Sequence, residues 1–207
     1  VALSAASHGR EALATVVACN DVLDAGTGET ERMRVERTVH LAAFGEYRRR
    51  YADQAMLYFA YVSEGRVERG IVVDGSILRG AGGIAGLIDA GGPAVAGGGG
   101  DAASRHLLSE RLGETIGQDL RLLNPSAVVL SSLDGDPNGD VLARVRHAIY
   151  SSVSPSLTGS LTIAWSALGR DAPALGAKEL ALDLATSPAS LAALLADADA
   201  AQHPESA

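Results

Sequence analysis

Apolar and polar positions change period several times along the chain. Between 102 and 123, Leu107, Leu108, Leu112, Ile116, Leu120 and Leu123 recur every three or four residues, which predicts one helix with an apolar stripe. Asn124-Pro125 ends it. Residues 55–62 (AMLYFAYV) and 67–75 (VERGIVVDG) are β-branched and aromatic, and they predict consecutive antiparallel strands. Asp74-Gly75 between two apolar runs predicts a tight hairpin turn into a third strand within SILRG. Further strands are expected at 33–37, 126–133 and 161–168, and further helices at 8–19, 39–53, 139–150 and in the Ala-rich stretch after 169. Ser187 at an N-cap and Pro188 at the first helical position start a last helix. The stretch 81–100 is glycine-dense, ends in Gly97-Gly98-Gly99-Gly100, and is expected to be a mobile loop. A strand-rich first half followed by alternating helices and strands predicts an α/β fold with a mixed sheet covered by helices on both faces.

Composition narrows the picture. The 207 residues are 47% hydrophobic but only 4% aromatic, so the core must be built of Ala, Val, Leu and Ile. A net charge of −8 argues against the chain itself gripping a nucleic-acid backbone. Arg48-Arg49-Arg50 is the local exception and fits the C-terminal end of a helix. Cys19 is the only cysteine, which excludes an internal disulfide and a cysteine-rich zinc site and fits a cytoplasmic protein. No apolar run reaches the roughly 20 residues of a membrane span, and no signal peptide is visible. The chain opens on Val1 rather than Met, which suggests that an earlier part of the protein precedes it. DGDPNGD at 134–140 lacks the spaced Glu of a calcium loop, and His8, His106, His147 and His203 show no ligand spacing.

Four separated stretches resemble segments of one family, in that family's order. VERTVHLAAFGE (35–46) resembles its V-x-N-D-V-N-L-A-A-x-G-E. GIVVDGSILRGAGGIAG (70–86) resembles G-I-V-x-D-G-x-L-L-R-G-A-x-G-x-A-G, LLNPSAVVL (122–130) resembles L-x-N-P-x-x-V-V-L, and ALGRDAPALGAKELALD (167–183) resembles the closing x-L-G-x-x-A-x-x-x-G-A-A-x-x-A. The family is ROK, the repressors, open reading frames and sugar kinases. The resemblance implies an actin-like ATPase, ribonuclease-H-like fold, of which this chain would hold the larger second half. On that reading 1–34 is a remnant of the first lobe and a connector, 35–186 the C-terminal α/β domain, and 187–207 a final helix with a frayed tail. Asp24-Ala25-Gly26-Thr27-Gly28 is the nearest approach to the first half's phosphate hairpin, and a polar turn explains it as well.

The departures from the family pattern bear on chemistry. A kinase needs a carboxylate base beside the hydroxyl it phosphorylates. The family's Asn-Asp is here Arg37-Thr38, and its second Asn is His40, which could bond a ligand or sit satisfied at a helix start. The glycine-rich phosphate loop is here Glu64-Gly65-Arg66-Val67-Glu68-Arg69-Gly70, an ordinary charged hairpin in which acids oppose an anion. In the family's A-G-E-I-G-H, Glu holds sugar hydroxyls and His binds zinc; here Leu87 and Ala90 replace them, and the cysteines that should follow are absent. The adenine-side Gly-Gly is Ser131-Ser132.

The expectation is therefore a catalytically inactive, effector-sensing and dimerising domain of a sugar-responsive transcriptional regulator, without cofactor or metal. Its candidate ligand residues are His40, Gly82, Gly83, Gly86 and Asp89. The expected partners are a sugar or sugar derivative, a second copy in a homodimer or tetramer, and DNA only through a module outside this chain. A regulator of this kind usually keeps the sugar-binding Glu and His, whose loss also allows a scaffold without ligand. A sugar kinase is the alternative.

Overall fold

A computed structural model describes residues 2–4, 14–19, 33–63, 66–86, 102–132 and 139–202. Its centre is a five-stranded sheet in the order β6-β5-β4-β7-β8. Strands β4 (Met56–Ser63), β5 (Arg66–Val73) and β6 (Ser76–Ile77) form an antiparallel meander. Strands β7 (Ala127–Ser132) and β8 (Thr162–Trp165) run parallel to β4 on its other side. Asp74 and Gly75 both have positive φ, 46° and 78°, and make the expected two-residue turn between β5 and β6.

Both faces of this sheet are covered, so its central strands are apolar at successive positions. Leu57 and Phe59 of β4 face one way and join Val72, Ala127 and Val129 against helices α1 (Thr38–Arg50) and α5 (Ala172–Ala185). Tyr58 and Ala60 face the other way and join Val128 and Leu130. They pack on Leu112, Ile116 and Leu120 of helix α2 (Ala102–Leu123) and on Val145 and Ile149 of helix α3 (Asp140–Ser152). The residues of the predicted stripe from 112 to 120 thus form that side of the core. A one-turn helix α4 (Pro155–Thr158) lies in the Ser/Pro-rich link before β8, and α6 (Pro188–Gln202) closes the described chain. Ser187 caps α6 through its hydroxyl, which accepts the Ser190 N–H at 3.2 Å.

A second sheet has three strands. β1 (Ala2–Ser4) pairs antiparallel with β2 (Thr15–Cys19), which pairs in parallel with β3 (Met33–Arg37). The helix expected over 8–19 is corrected for 15–19, which is strand; 8–13 lie outside the described residues. Thr15-Val16-Val17 is β-branched and prefers a pleated surface, and the parallel ladder to β3, far away in sequence, supplies its hydrogen bonds. Val16 is fully buried against the α1–α5 layer.

The three arginines end α1 as expected. Arg49 pairs with Glu179 at 2.6 Å and Arg48 with Asp183 at 3.1 Å, tying α1 to α5. Among the described residues no single helix is long and apolar enough to cross a membrane; α5 with α6 passes that test only as a pair bent by 53°.

Candidate functional site

A cleft of about 420 Å³ opens at the carboxyl ends of the parallel strands β4 and β7, where open α/β sheets place their ligands. One wall is the start of α1, with Thr38, Val39 and Ala42. The floor is Phe59 and Tyr61 of β4 with Ser131 and Ser132 of β7, and Glu68 of β5 stands at the side. Gly169, Arg170 and Pro173, from the turn after β8 and the start of α5, form the opposite wall. Phe59, Val39, Ala42 and Pro173 make much of the lining apolar, with polar groups at few points, as in small-molecule sites generally.

The start of α1 is built from an uninterrupted strand-to-helix junction. Arg37 is the N-cap, extended at φ −68° and ψ 141°; no side chain caps the helix and its first turn holds no acid. The Thr38 hydroxyl donates to the Cys19 carbonyl at 3.1 Å, joining this turn to β2. Arg37 is 5% exposed. Its Nη2 donates to a Glu68 carboxylate oxygen at 3.0 Å, while Nε and Nη1 are buried without a partner.

The opposite wall hangs on a buried acid. Glu46, fully buried in α1, accepts from the Ser166 hydroxyl at 2.5 Å and from the Leu168 N–H at 3.0 Å. The same hydroxyl accepts the Gly169 N–H at 2.8 Å, so one carboxylate shapes the turn that carries Gly169 and Arg170.

His40 lies behind the cleft and is not part of its lining. It is fully buried, with Nδ1 2.7 Å from a Glu36 oxygen and Nε2 3.0 Å from the Ala85 carbonyl. Glu36, 4% exposed, also accepts from Arg79 Nε at 2.6 Å and from the Arg37 N–H at 3.2 Å. Burial opposes ionisation of Glu36, but the hydrogen bond from His40 and the charges of Arg79 and His40 outweigh it and hold its carboxyl below the ordinary value. The Ala85 carbonyl can only accept, so the Nε2 side of His40 donates to it, and Nδ1 is left to the Glu36 carboxyl.

This cluster fixes the glycine loop. Arg79 and Ala85 are held by Glu36 and His40, the Ala85 N–H donates to the Arg79 carbonyl at 2.9 Å, and Arg69 N–H donates to the Gly86 carbonyl at 3.1 Å. Gly86 has φ +79°, and a Cβ there would strike the Arg69 backbone, so only glycine fits. Gly82 is exposed and Gly83, at φ +71°, half-buried. His40, Gly82, Gly83 and Gly86 therefore belong to one local assembly, beside the cleft rather than in it. Asp89, Leu87 and Ala90 lie outside the described residues, as do the 24–28 turn and the four glycines 97–100.

Thr38, Glu68, Ser131 and Ser132, singled out in the sequence from three separate segments, do meet in the cleft. Sequence reasoning missed Arg170, the Arg37–Glu68 pair and the role of Glu36. The i,i+4 spacing of Glu36 and His40 across a helix start was the available signal for the last. No group of three or more His, Cys, Asp or Glu that could hold a metal occurs among the described residues.

No family model and no curated protein matches the chain. Solved structures do match its fold. A ROK family transcriptional regulator, a homologue of the Escherichia coli Mlc protein, aligns at a TM-score of 0.58 and 18% identity, over 74% of this chain and 52% of its own. A ROK family glucokinase from Streptomyces griseus, solved with glucose and AMPPNP, aligns at 0.58 and 17%, over 73% and 69%. A ROK family protein from Streptococcus pneumoniae, solved with sucrose, aligns at 0.57 and 14%, over 73% and 66%. The chain thus has the actin-like fold of ROK proteins, and it spans about half the length of the regulator it matches.

Proposed function

We infer that this chain is the ligand-sensing lobe of a ROK-type, sugar-responsive regulator and transfers no phosphoryl group. One observation carries the reading: the start of α1, which walls the cleft, offers a hydroxyl and no carboxylate base. Thr38 stands there with its hydroxyl donated to Cys19, and Glu68, the one carboxylate among the described lining residues, is engaged by Arg37. A hydroxyl cannot take the proton that in-line transfer to a sugar requires. Ser131 and Ser132, buried or half-buried at the end of β7, further narrow the approach for a nucleotide. Sugar recognition is supported by the glucose and sucrose held by two proteins of the same fold.

In this reading His40 and Gly86 act by setting the loop 79–86 beside the ligand, Gly82 and Gly83 give the ligand backbone access, and Asp89 supplies a polar contact. Assembly as a homodimer or tetramer, and DNA contact through a module outside this chain, complete the proposal. The alternative is a sugar kinase, favoured by the likeness to the glucokinase.

The test is an assay of ADP release with magnesium ATP and a panel of hexoses, alongside thermal shifts with the same compounds. The expected result is a shift with a sugar or sugar derivative, none with ATP, and no sugar-dependent ADP. Sugar-dependent ADP release would overturn the reading in favour of the kinase.

A further inference from the structure

We propose that the outward side of α6 is the surface on which two copies of this chain associate. The proposal names a surface for the self-association put forward above and does not depend on the sensor reading.

Helix α6 turns one side to the body of the protein. Ser190 is 6% exposed, and its hydroxyl donates to the Leu184 carbonyl of α5 at 2.7 Å. Ala193 and Leu194, one turn on, are half-buried. The opposite side presents Ala189, Leu191, Ala192, Leu195 and Ala196, all of them exposed. Leu191 is 47% exposed and Leu195 68%. A surface helix ordinarily sets polar residues on its outer side, and a helix apolar all round is ordinarily buried. Over 188–196 the only polar side chain is that of Ser190, and it is engaged on α5. Contact with α5 therefore accounts for one side of the helix. The other side is exposed and has the composition of a covered one.

Charge and shape select a second copy as the cover. The chain carries −8 overall, yet 184–196 (LATSPASLAALLA) holds no charged residue, and Asp197 and Asp199 come only after it. Two acidic copies repel where their charged surfaces meet and can close where neither is charged. A basic protein or a nucleic acid gains nothing from such a face. An interface between two copies related by a two-fold axis must also fit itself. Leu191 and Leu195 lie one turn apart and make a row; Ala192 and Ala196 make the adjoining row. With the two-fold axis along the helix, the leucine row of each copy meets the alanine row of the other, large side chains against small.

Sedimentation velocity is run on the wild type, L191E/L195E, A192E and, as a control, L122E. Leu122 is 84% exposed but lies on α2. The wild type and L122E are expected to be dimers at micromolar concentration. L191E/L195E and A192E are expected to dissociate about a hundredfold more readily or worse, since each substitution buries an unpaired carboxylate twice across a two-fold axis. Every changed position is exposed and glutamate favours helix, so the fold is kept, which far-UV circular dichroism checks. A192E leaves both leucines in place, so the result does not depend on one variant. A monomeric wild type overturns the proposal; if that monomer co-sediments with phosphatidylcholine–phosphatidylglycerol vesicles, the face belongs to a membrane surface instead. A dimer that survives in both L191E/L195E and A192E also overturns it and moves self-association to another surface. Dissociation of L122E to the same extent overturns it as well, because added charge anywhere would then suffice. Leu191, Ala192 and Leu195 are not among the residues lining the cleft, so sugar-dependent thermal shifts judge the sensor reading separately.

Discussion

Gly45 and Gly176 touch where α1 crosses α5. A Cβ on Gly45 would stand 2.9 Å from the Gly176 nitrogen and closer still to the Ala172 carbonyl, and one on Gly176 would collide with the Leu41 carbonyl. The two helices approach at backbone distance, and α1 thereby settles both walls of the cleft. In an open helix Gly→Ala gains up to about 1 kcal/mol. Here Gly176→Ala is expected to lose about 1–3 kcal/mol through overpacking, read as a lower urea midpoint. A raised midpoint would show that the helices can part at no cost.

Glu36 makes stability depend on acid. Its carboxyl is held below its ordinary value in the folded state by His40 and Arg79 against the penalty of burial. The unfolded chain then binds the proton first as pH falls. The stabilisation is complete above the ordinary carboxylate range and drains away as pH drops through the folded value. Denaturation series across the acid range are expected to show this slope in the wild type and a shallower one in Glu36→Gln.

Removing the ring of His40 takes a hydrogen-bond partner from two buried groups, the Glu36 carboxyl and the Ala85 carbonyl. Glu36 keeps Arg79 as its charge partner, so His40→Leu is expected to cost about 1–3 kcal/mol, the range for leaving a buried polar group unsatisfied. Hydrogen exchange at the Arg69 and Ala85 amides, which close the loop onto β5 and onto Arg79, is expected to quicken more than exchange in α2. Uniform quickening would mean that the ring supports the whole core and not the loop in particular.

On the other face of the sheet, Tyr58 is fully buried, donates to Asp119 at 2.6 Å and accepts from Arg69 at 2.8 Å. Burial, with some help from Asp119, pushes its phenol far above the ordinary range. Stability from this group is present below the ordinary phenol value and falls as pH rises past it. Tyr58→Phe leaves the 2.7 Å Arg69–Asp119 pair in place. It is expected to cost about 1–2 kcal/mol at neutral pH and to flatten the alkaline slope.

Elements with a strong period were legible from the sequence, and the reason is local. The stripe through Leu112, Ile116 and Leu120 and the Asp74-Gly75 turn carry their instructions within a few residues. Strand β2 was misread because Ala- and Leu-containing residues precede Thr15, and its hydrogen bonds come from β3. At the site, Thr38, Glu68, Ser131 and Ser132 were visible as departures from a pattern. Their meeting, and the Arg37–Glu68 pair across 31 residues, depends on strand order. Glu36 sat at a position where the pattern specifies nothing, yet three buried or half-buried groups converge on it.

The passage from β3 into α1 occupies no loop at all: Arg37 ends the strand and Thr38 begins the helix. A chain bends where it has spare residues, and here it has none. The small sheet and α1 are thus joined directly, with Arg37 at the elbow. A turn of β3 is therefore expected to carry Thr38 and Val39, and with them one wall of the cleft.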